Sequence, residues 1–320
     1  MSEIIIEAEN LVKTYREGIL SRKARPALEG IDIKISAGET VAFLGPNGAG
    51  KTTFLKILFG LILPTAGKVK IFNSSPDDIS WRPKAGYVPE LFSPPRFLTG
   101  MELLEISAQA NGLEEKQFKQ RLDWLMQALE LKDILQIKIS QYSRGMLQAL
   151  ALANCLLCDP ELIVMDEPSA NLDVVGRKRL RELLWELAQK GKTILISSHI
   201  LSEVEELCER VIFIDKGKII KEGKTKELLQ PEGGYTICFK PQGPPPDELK
   251  IISEVKEDKE LGIAFIETKT EYEKDRVVKI LTENNISIEI IEPKQKTLEE
   301  YFLELVEQKT LEKYFLELVK

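Results

Sequence analysis

Gly45-Pro-Asn-Gly-Ala-Gly-Lys-Thr-Thr53 is the stretch that decides how the rest of the chain is read. Gly45, Gly50, Lys51 and Thr52 fill the spacing G-x-x-x-x-G-K-[ST], whose glycines let backbone N–H groups curl around a phosphate chain. Pro46, Asn47, Gly48 and Ala49 form the curl, Lys51 reaches the β and γ oxygens, and the Thr52 hydroxyl is placed to hold Mg²⁺. The flanks agree. Thr40-Val-Ala-Phe-Leu44 predicts a strand entering the loop, and Thr53 to Phe59 carries a helical apolar pattern, so a helix start points at the anion.

A second apolar run, Leu162-Ile-Val-Met, ends in Asp166 and Glu167. Beside a phosphate loop this is what nucleotide hydrolysis needs: Asp166 to meet Mg²⁺ and Glu167 to polarise the attacking water. His199, the single histidine, follows the strand predicted for Thr193 to Ser198, where a γ-phosphate contact is within reach.

Outward from these motifs, strands are expected over Ile4 to Lys13, Ile31 to Ile35, Lys68 to Phe72, Gly86 to Glu90 and Val211 to Asp215. Helices are expected over Met101 to Ala110, Leu113 to Leu131, Ser143 to Leu157, Val174 to Lys190 and Leu201 to Glu209. Arg16 to Pro26, with Arg22, Lys23 and Arg25, reads as a solvated hairpin tip or a contact with lipid headgroups. Strands alternating with helices imply a largely parallel sheet covered on both faces.

A chain of 320 residues exceeds one typical domain, and 30% charged with 43% apolar residues describes a globular protein. The most apolar stretch, Met146 to Cys158, is too short to cross a bilayer, and the N-terminus has no apolar leader, so a cytosolic protein is expected. Four scattered cysteines suit no disulfide framework, and Cys155 and Cys158 read as buried apolar thiols rather than a metal or redox pair. From Gly233 onward, 19 acidic residues face 13 basic ones and carry nearly all of the net charge of −7, so the basic footprint of a nucleic-acid binder is missing.

Residues 1–230 form the expected nucleotide-binding domain, 233–295 a small α+β domain in the strand-helix-strand-strand-helix-strand order of a ferredoxin-like unit, and 296–320 a helical tail. The tail is duplicated: Thr297-Leu-Glu-Glu-Tyr-Phe-Leu-Glu-Leu-Val306 recurs 13 residues later as Thr310-Leu-Glu-Lys-Tyr-Phe-Leu-Glu-Leu-Val319. At ~100° per residue that shift turns the apolar face by roughly 220°, so one straight helix could not bury both copies on one side.

Over Ile4 to about Leu229 the chain resembles the nucleotide-binding subunits of ABC transporters, with the motifs in that family's order and spacing. The resemblance implies an α/β phosphate-loop NTPase core with a parallel sheet, an antiparallel β subdomain and a helical subdomain. By that resemblance Tyr15 stacks on adenine, Gly45 to Thr53 is the Walker A loop, and Glu90 sits where the family usually has a glutamine facing Mg²⁺. Ser143-Arg-Gly-Met146 occupies the signature, with Ser143 and Gly145 retained and Arg144 and Met146 replacing the usual glycine and glutamine. Asp166 and Glu167 are the Walker B pair, Ser169 to Asp173 the D-loop, and His199 the switch histidine.

The resemblance also implies an ATPase working as a homodimer around two ATP molecules, because a signature lies far from its own phosphate loop and serves a second copy's ATP. A separate integral membrane permease would dock near Leu91 to Gly100, where Phe92 and Phe97 either form its groove or pack within the helical subdomain. The likeness is strongest to the export branch, which places the chain at the inner face of the membrane through its permease. The alternative is a soluble ABC-type ATPase acting on nucleic acid or ribosomes. Such relatives carry two cassettes or a long inserted coiled coil, and neither is present; a phosphate-loop kinase would leave Ser143 to Gly145 and Ser169 to Asp173 unexplained.

Overall fold

A computed structural model of the chain describes residues 3–16, 24–170, 172–229, 234–241, 243–258, 262–294 and 297–305. It divides into two compact units, Met1–Thr225 and Lys226–Lys320.

The first unit opens with β1 (Ile4–Arg16) and β2 (Ala24–Ser36), paired antiparallel from Ile4 with Ser36 to Arg16 with Ala24. Both strands are longer than the sequence pattern predicts, because the ladder, broken by register shifts near Ile4, Ala8, Leu11 and Lys13, continues past the apolar alternation to Arg16 and Ala24. Arg25 and Pro26, expected in a loop tip, are therefore strand residues, and residues 17–23 lie outside the described residues. Next come β3 (Thr40–Leu44), the phosphate loop, α1 (Lys51–Leu58) and β4 (Ala66–Ile71), which joins β1 in a three-stranded sheet of order β2-β1-β4.

Then follow β5 (Ala85–Val88), α2 (Gly100–Ala110), α3 (Glu115–Ala128) and α4 (Arg144–Leu156). After these come β6 (Leu162–Asp166), α5 (Val174–Gln189), β7 (Thr193–Ser198), α6 (Leu201–Glu205), β8 (Arg210–Asp215) and β9 (Lys218–Lys224). The main sheet has the order β5-β6-β7-β3-β8-β9 and is parallel except for the β8–β9 hairpin. Every residue of β3, β6 and β7 is buried, which is why β3 and β6 read as apolar runs rather than alternating ones and why β7 is apolar from Ile194 to Ile196. Helix α6 ends four residues before the expected stop at Glu209, whose N–H is taken by the Thr40 carbonyl at the start of β3. The sheet has claimed that backbone before the helix can.

After α7 (Thr225–Leu228), at the division, the second unit contains β10 (Tyr235–Phe239), α8 (Asp247–Ile252), β11 (Val255–Asp258), β12 (Ile263–Thr268), α9 (Glu271–Glu283) and β13 (Ile288–Pro293). Its sheet, β11-β12-β10-β13, is antiparallel throughout, the split βαβ arrangement of a ferredoxin-like fold. Ile237, Phe239, Ala264 and Ile266 from the sheet pack on Leu249, Val277 and Leu281 of its helices. Residues 298–305, most of the first tail copy, are helical; the second copy lies outside the described residues.

Strand β5 lies hard against α4. A Cβ on Gly86 would come within 2.5 Å of both the carbonyl oxygen and Sγ of Cys155. Burial pushes the Cys155 thiol up to about 12, so this sulfur stays protonated and serves as packing. Gly86→Ala is expected to lower stability by about 1–3 kcal/mol, the usual penalty for overpacking a core. Urea unfolding of the variant measures this, and a midpoint unchanged from wild type would mean that β5 and α4 are not in such close contact.

Candidate functional site

Strands β3, β7 and β6 are neighbours in register, Leu44 opposite Ser198 and Asp166 opposite Ser197. Their carboxyl ends therefore deliver the phosphate loop, His199 and the Asp166–Glu167 pair to one edge of the sheet, where open α/β sheets bind ligands. A cavity of about 530 Å³ lies there, lined by Tyr15, Arg25, the loop from Pro46 to Thr53, Glu90 and Glu167.

The loop runs into α1 through Gly50, whose φ of +114° suits glycine, and a Cβ there would come within 2.4 Å of the Ala27 carbonyl oxygen. Gly50 gives α1 no side-chain cap and the first turn holds no acid. Its leading N–H groups, Thr52 and Thr53 among them, are thus disposed toward an anion.

Lys51 is buried. Its ammonium donates to the carbonyl of Gly45 at 2.5 Å and lies 3.1 Å from Glu167 Oε1. Glu167 is 7% exposed and has φ +50°, in the left-handed region that non-glycine residues seldom adopt. Two acceptors on Ser197 hold its N–H there, the carbonyl and the hydroxyl oxygen, each at 3.1 Å. The other Glu167 oxygen, Oε2, is 2.7 Å from His199 Nδ1. Lysine, glutamate and histidine thus form one chain of contacts, with the glutamate in the middle.

Asp166 is wholly inside the protein. Its Oδ1 accepts from the Ser197 hydroxyl at 2.5 Å, while its buried Oδ2 has no hydrogen-bond partner among the described residues. A buried carboxylate oxygen without a donor is costly unless a cation or its water faces it. With the Thr52 hydroxyl at the start of α1 and Glu90 in the cavity lining, the donor set is the oxygen-only kind that suits Mg²⁺.

Tyr15 is 41% exposed at the cavity wall, its hydroxyl 3.4 Å from Thr53 Oγ1, and Lys13 lies over its ring at 5.2 Å. Ser143, Gly145 and Asp173 do not line this cavity. Ser143 caps α4, accepting from the Met146 N–H at 3.2 Å, while its own N–H donates to the Met146 sulfur at 3.4 Å. The methionine sulfur fills the acceptor place that glutamate or glutamine takes in a capping box. Asp173 caps α5 by accepting from Gly176 N–H at 2.8 Å.

Two participants, Ser197 and Gln148, were not singled out from the sequence, and a third, Arg25, was expected at a solvated hairpin tip or on lipid headgroups rather than at this cavity. Ser197 is a hydroxyl inside an apolar parallel strand directly opposite Asp166, and that pairing is its only signal. Gln148, buried on α4, donates to the Pro168 carbonyl and pins the turn after Glu167. Arg25 reaches the cavity because it pairs with Tyr15 across the β1–β2 hairpin.

A phosphate chain that takes the Lys51 ammonium has to draw it from Glu167. Glu167→Gln removes that competing charge and is expected to tighten binding of a non-hydrolysable triphosphate analogue about tenfold, the size of one charge-assisted hydrogen bond. Equal affinity in a titration of wild type and variant would show that the pair does not compete with ligand.

The family model described as ABC transporter matches residues 28–170. An uncharacterised ABC transporter ATP-binding protein of Nostoc sp. is 37% identical over 235 residues, covering 73% of this chain and 70% of that protein. Nod factor export ATP-binding protein I of Cupriavidus metallidurans is 32% identical, over 73% of this chain and 75% of its own length. Among solved structures, an ATP-binding cassette captured as a dimer in a post-hydrolysis state with ADP and phosphate is similar with a TM-score of 0.64 and 28% identity, over 69% of this chain and 99% of that one. With its phosphate loop, acid pair and signature helix in the arrangement described, this chain belongs to the ATP-binding proteins of ABC transporters, the ATP-hydrolysing subunits of that family.

Proposed function

We propose that the chain works as a homodimer closed around two ATP molecules and drives export through a separate integral membrane permease, at the inner face of the cell membrane. The observation that carries the dimer is the separation of the two halves of the machinery. The cavity holds the phosphate loop, Tyr15 and Glu167, whereas Ser143 and Gly145 at the start of α4 and Asp173 at the start of α5 lie outside it. The start of α4, whose side-chain cap takes only the Met146 N–H and which lies outside the cavity, suits a γ-phosphate held by a second copy.

In this reading the backbone N–H groups of Gly48 to Thr53 and the Lys51 ammonium hold the phosphates, and the Tyr15 ring packs on the base. Thr52, Asp166 and Glu90 would hold Mg²⁺, which supplies neutralisation of phosphate charge when bound. Once Lys51 turns to the phosphates, Glu167 is free to accept a proton from the attacking water, with Ser197 fixing its backbone and His199 its far oxygen.

Support for a membrane partner comes from the proline-broken stretch before α2, where Leu91 is 83% and Phe97 74% exposed, while Phe92 is half-buried. No helix among the described residues is long and apolar enough to cross a membrane, so translocation would fall to another chain. Export as the direction rests on the similarity to Nod factor export proteins.

Lys51→Ala is expected to abolish ATP turnover, whereas Glu167→Gln with saturating ATP is expected to run as a dimer in size-exclusion light scattering; a monomer under those conditions would falsify the paired arrangement. Leu91→Ser with Phe97→Ser is expected to keep the ATP affinity of wild type but to lose the membrane protein that co-purifies with it. Unchanged recovery of that protein would move the docking surface elsewhere.

A further inference from the structure

The first tail copy sits by one face. Leu298 is wholly buried, and Tyr301, Phe302 and Leu305 are half-buried at the i, i+3, i+4, i+7 spacing, while Glu299, Glu300, Leu303 and Glu304 are exposed. Thr297 and Glu300 close a reciprocal cap at the helix start. The Thr297 N–H donates to Glu300 Oε2 at 2.9 Å and the Glu300 N–H to Thr297 Oγ1 at 3.2 Å.

The second copy repeats nine of these ten residues, including the seated face as Leu311, Tyr314, Phe315 and Leu318. The one difference falls at the cap, where Lys313 stands in the place of Glu300. An ammonium cannot accept the N-cap N–H, and a cation at a helix start opposes the helix dipole.

We propose that residues 310–319 are a second ligand for the seat that holds 297–305, taking it from within the same chain when the first copy leaves. The shared face makes the seat equally suited to both, and two terms rank them. The link from β13, which ends at Pro293, is residues 294–296 for the first copy and 294–309 for the second, a loop-closure handicap of about twelvefold. The lost half of the cap adds roughly fivefold. The first copy therefore holds the seat by about sixtyfold, and weakening it by more than that hands the seat to the second. The duplication keeps the seat covered while the first copy is engaged elsewhere.

Hydrogen exchange followed by mass spectrometry on the full chain tests this with Leu298→Ala, Leu311→Ala and the double variant. A large-to-small change at a fully buried leucine weakens seating by more than roughly a hundredfold, so Leu298→Ala is expected to move protection from 298–305 to 310–319. Leu311→Ala alone is expected to change nothing, and the double variant to leave both segments unprotected. The urea midpoint is expected to fall clearly further in the double variant than in Leu298→Ala. Protection that stays on 298–305 in Leu298→Ala, equal urea midpoints for single and double variants, or protection of 310–319 that rises with protein concentration would each overturn the proposal, the last by showing that the second copy seats in another molecule.

Discussion

Lys51 and Glu167 face each other at 3.1 Å in a place almost closed to water, and much of the first unit is arranged to keep them there. Removing either partner would strand the other charge in low dielectric, a far larger penalty than any surface ion pair carries. The glutamate also accepts a left-handed backbone that its residue type disfavours, which persists only because Ser197 holds its N–H from the adjacent strand. The strain and the buried charge meet at one residue, Glu167.

That geometry depends on strands rather than on loops. Because β3, β7 and β6 are fully buried and joined in one parallel ladder, the groups at their carboxyl ends are held at the spacing of adjacent strands. The lysine leads away from one strand, the glutamate from another and the histidine from the third between them. Gln148 extends the same logic to α4 by tying that helix to the turn after Glu167. A movement of α4 would thereby be felt at the turn after Glu167.

The signature departures find their account in local capping. With methionine at the third helical position the start of α4 keeps a reciprocal cap, but through a weak sulfur acceptor, leaving an exposed helix end that is ordered without a carboxylate or amide beside it. The second unit is a separate case, a small antiparallel sheet whose core of Ile237, Phe239, Ile266, Val277 and Leu281 closes on itself. Its short helix α8, six residues long, suffices because Leu249 alone reaches that core fully.

The order of elements, the phosphate loop, the acid pair and the ferredoxin-like unit were legible in the sequence because each is a local pattern: a glycine spacing, a buried run ending in carboxylates, an alternation of period two or 3.6. Helix and strand ends were less so. Strand β2 runs back to Ala24 because β1 pairs with it, and α6 stops early because Thr40 takes the Glu209 N–H. Ser197 and Gln148 escaped notice, and Arg25 was placed at a loop tip, for the same reason, since their importance comes from residues 31, 20 and 10 positions away across the sheet, the core and a hairpin. Chemistry that resides in consecutive residues was fixed by the sequence alone; which of those residues meet, and which oxygen of Asp166 is left without a hydrogen-bond partner, was decided only when strands far apart in the chain came into register.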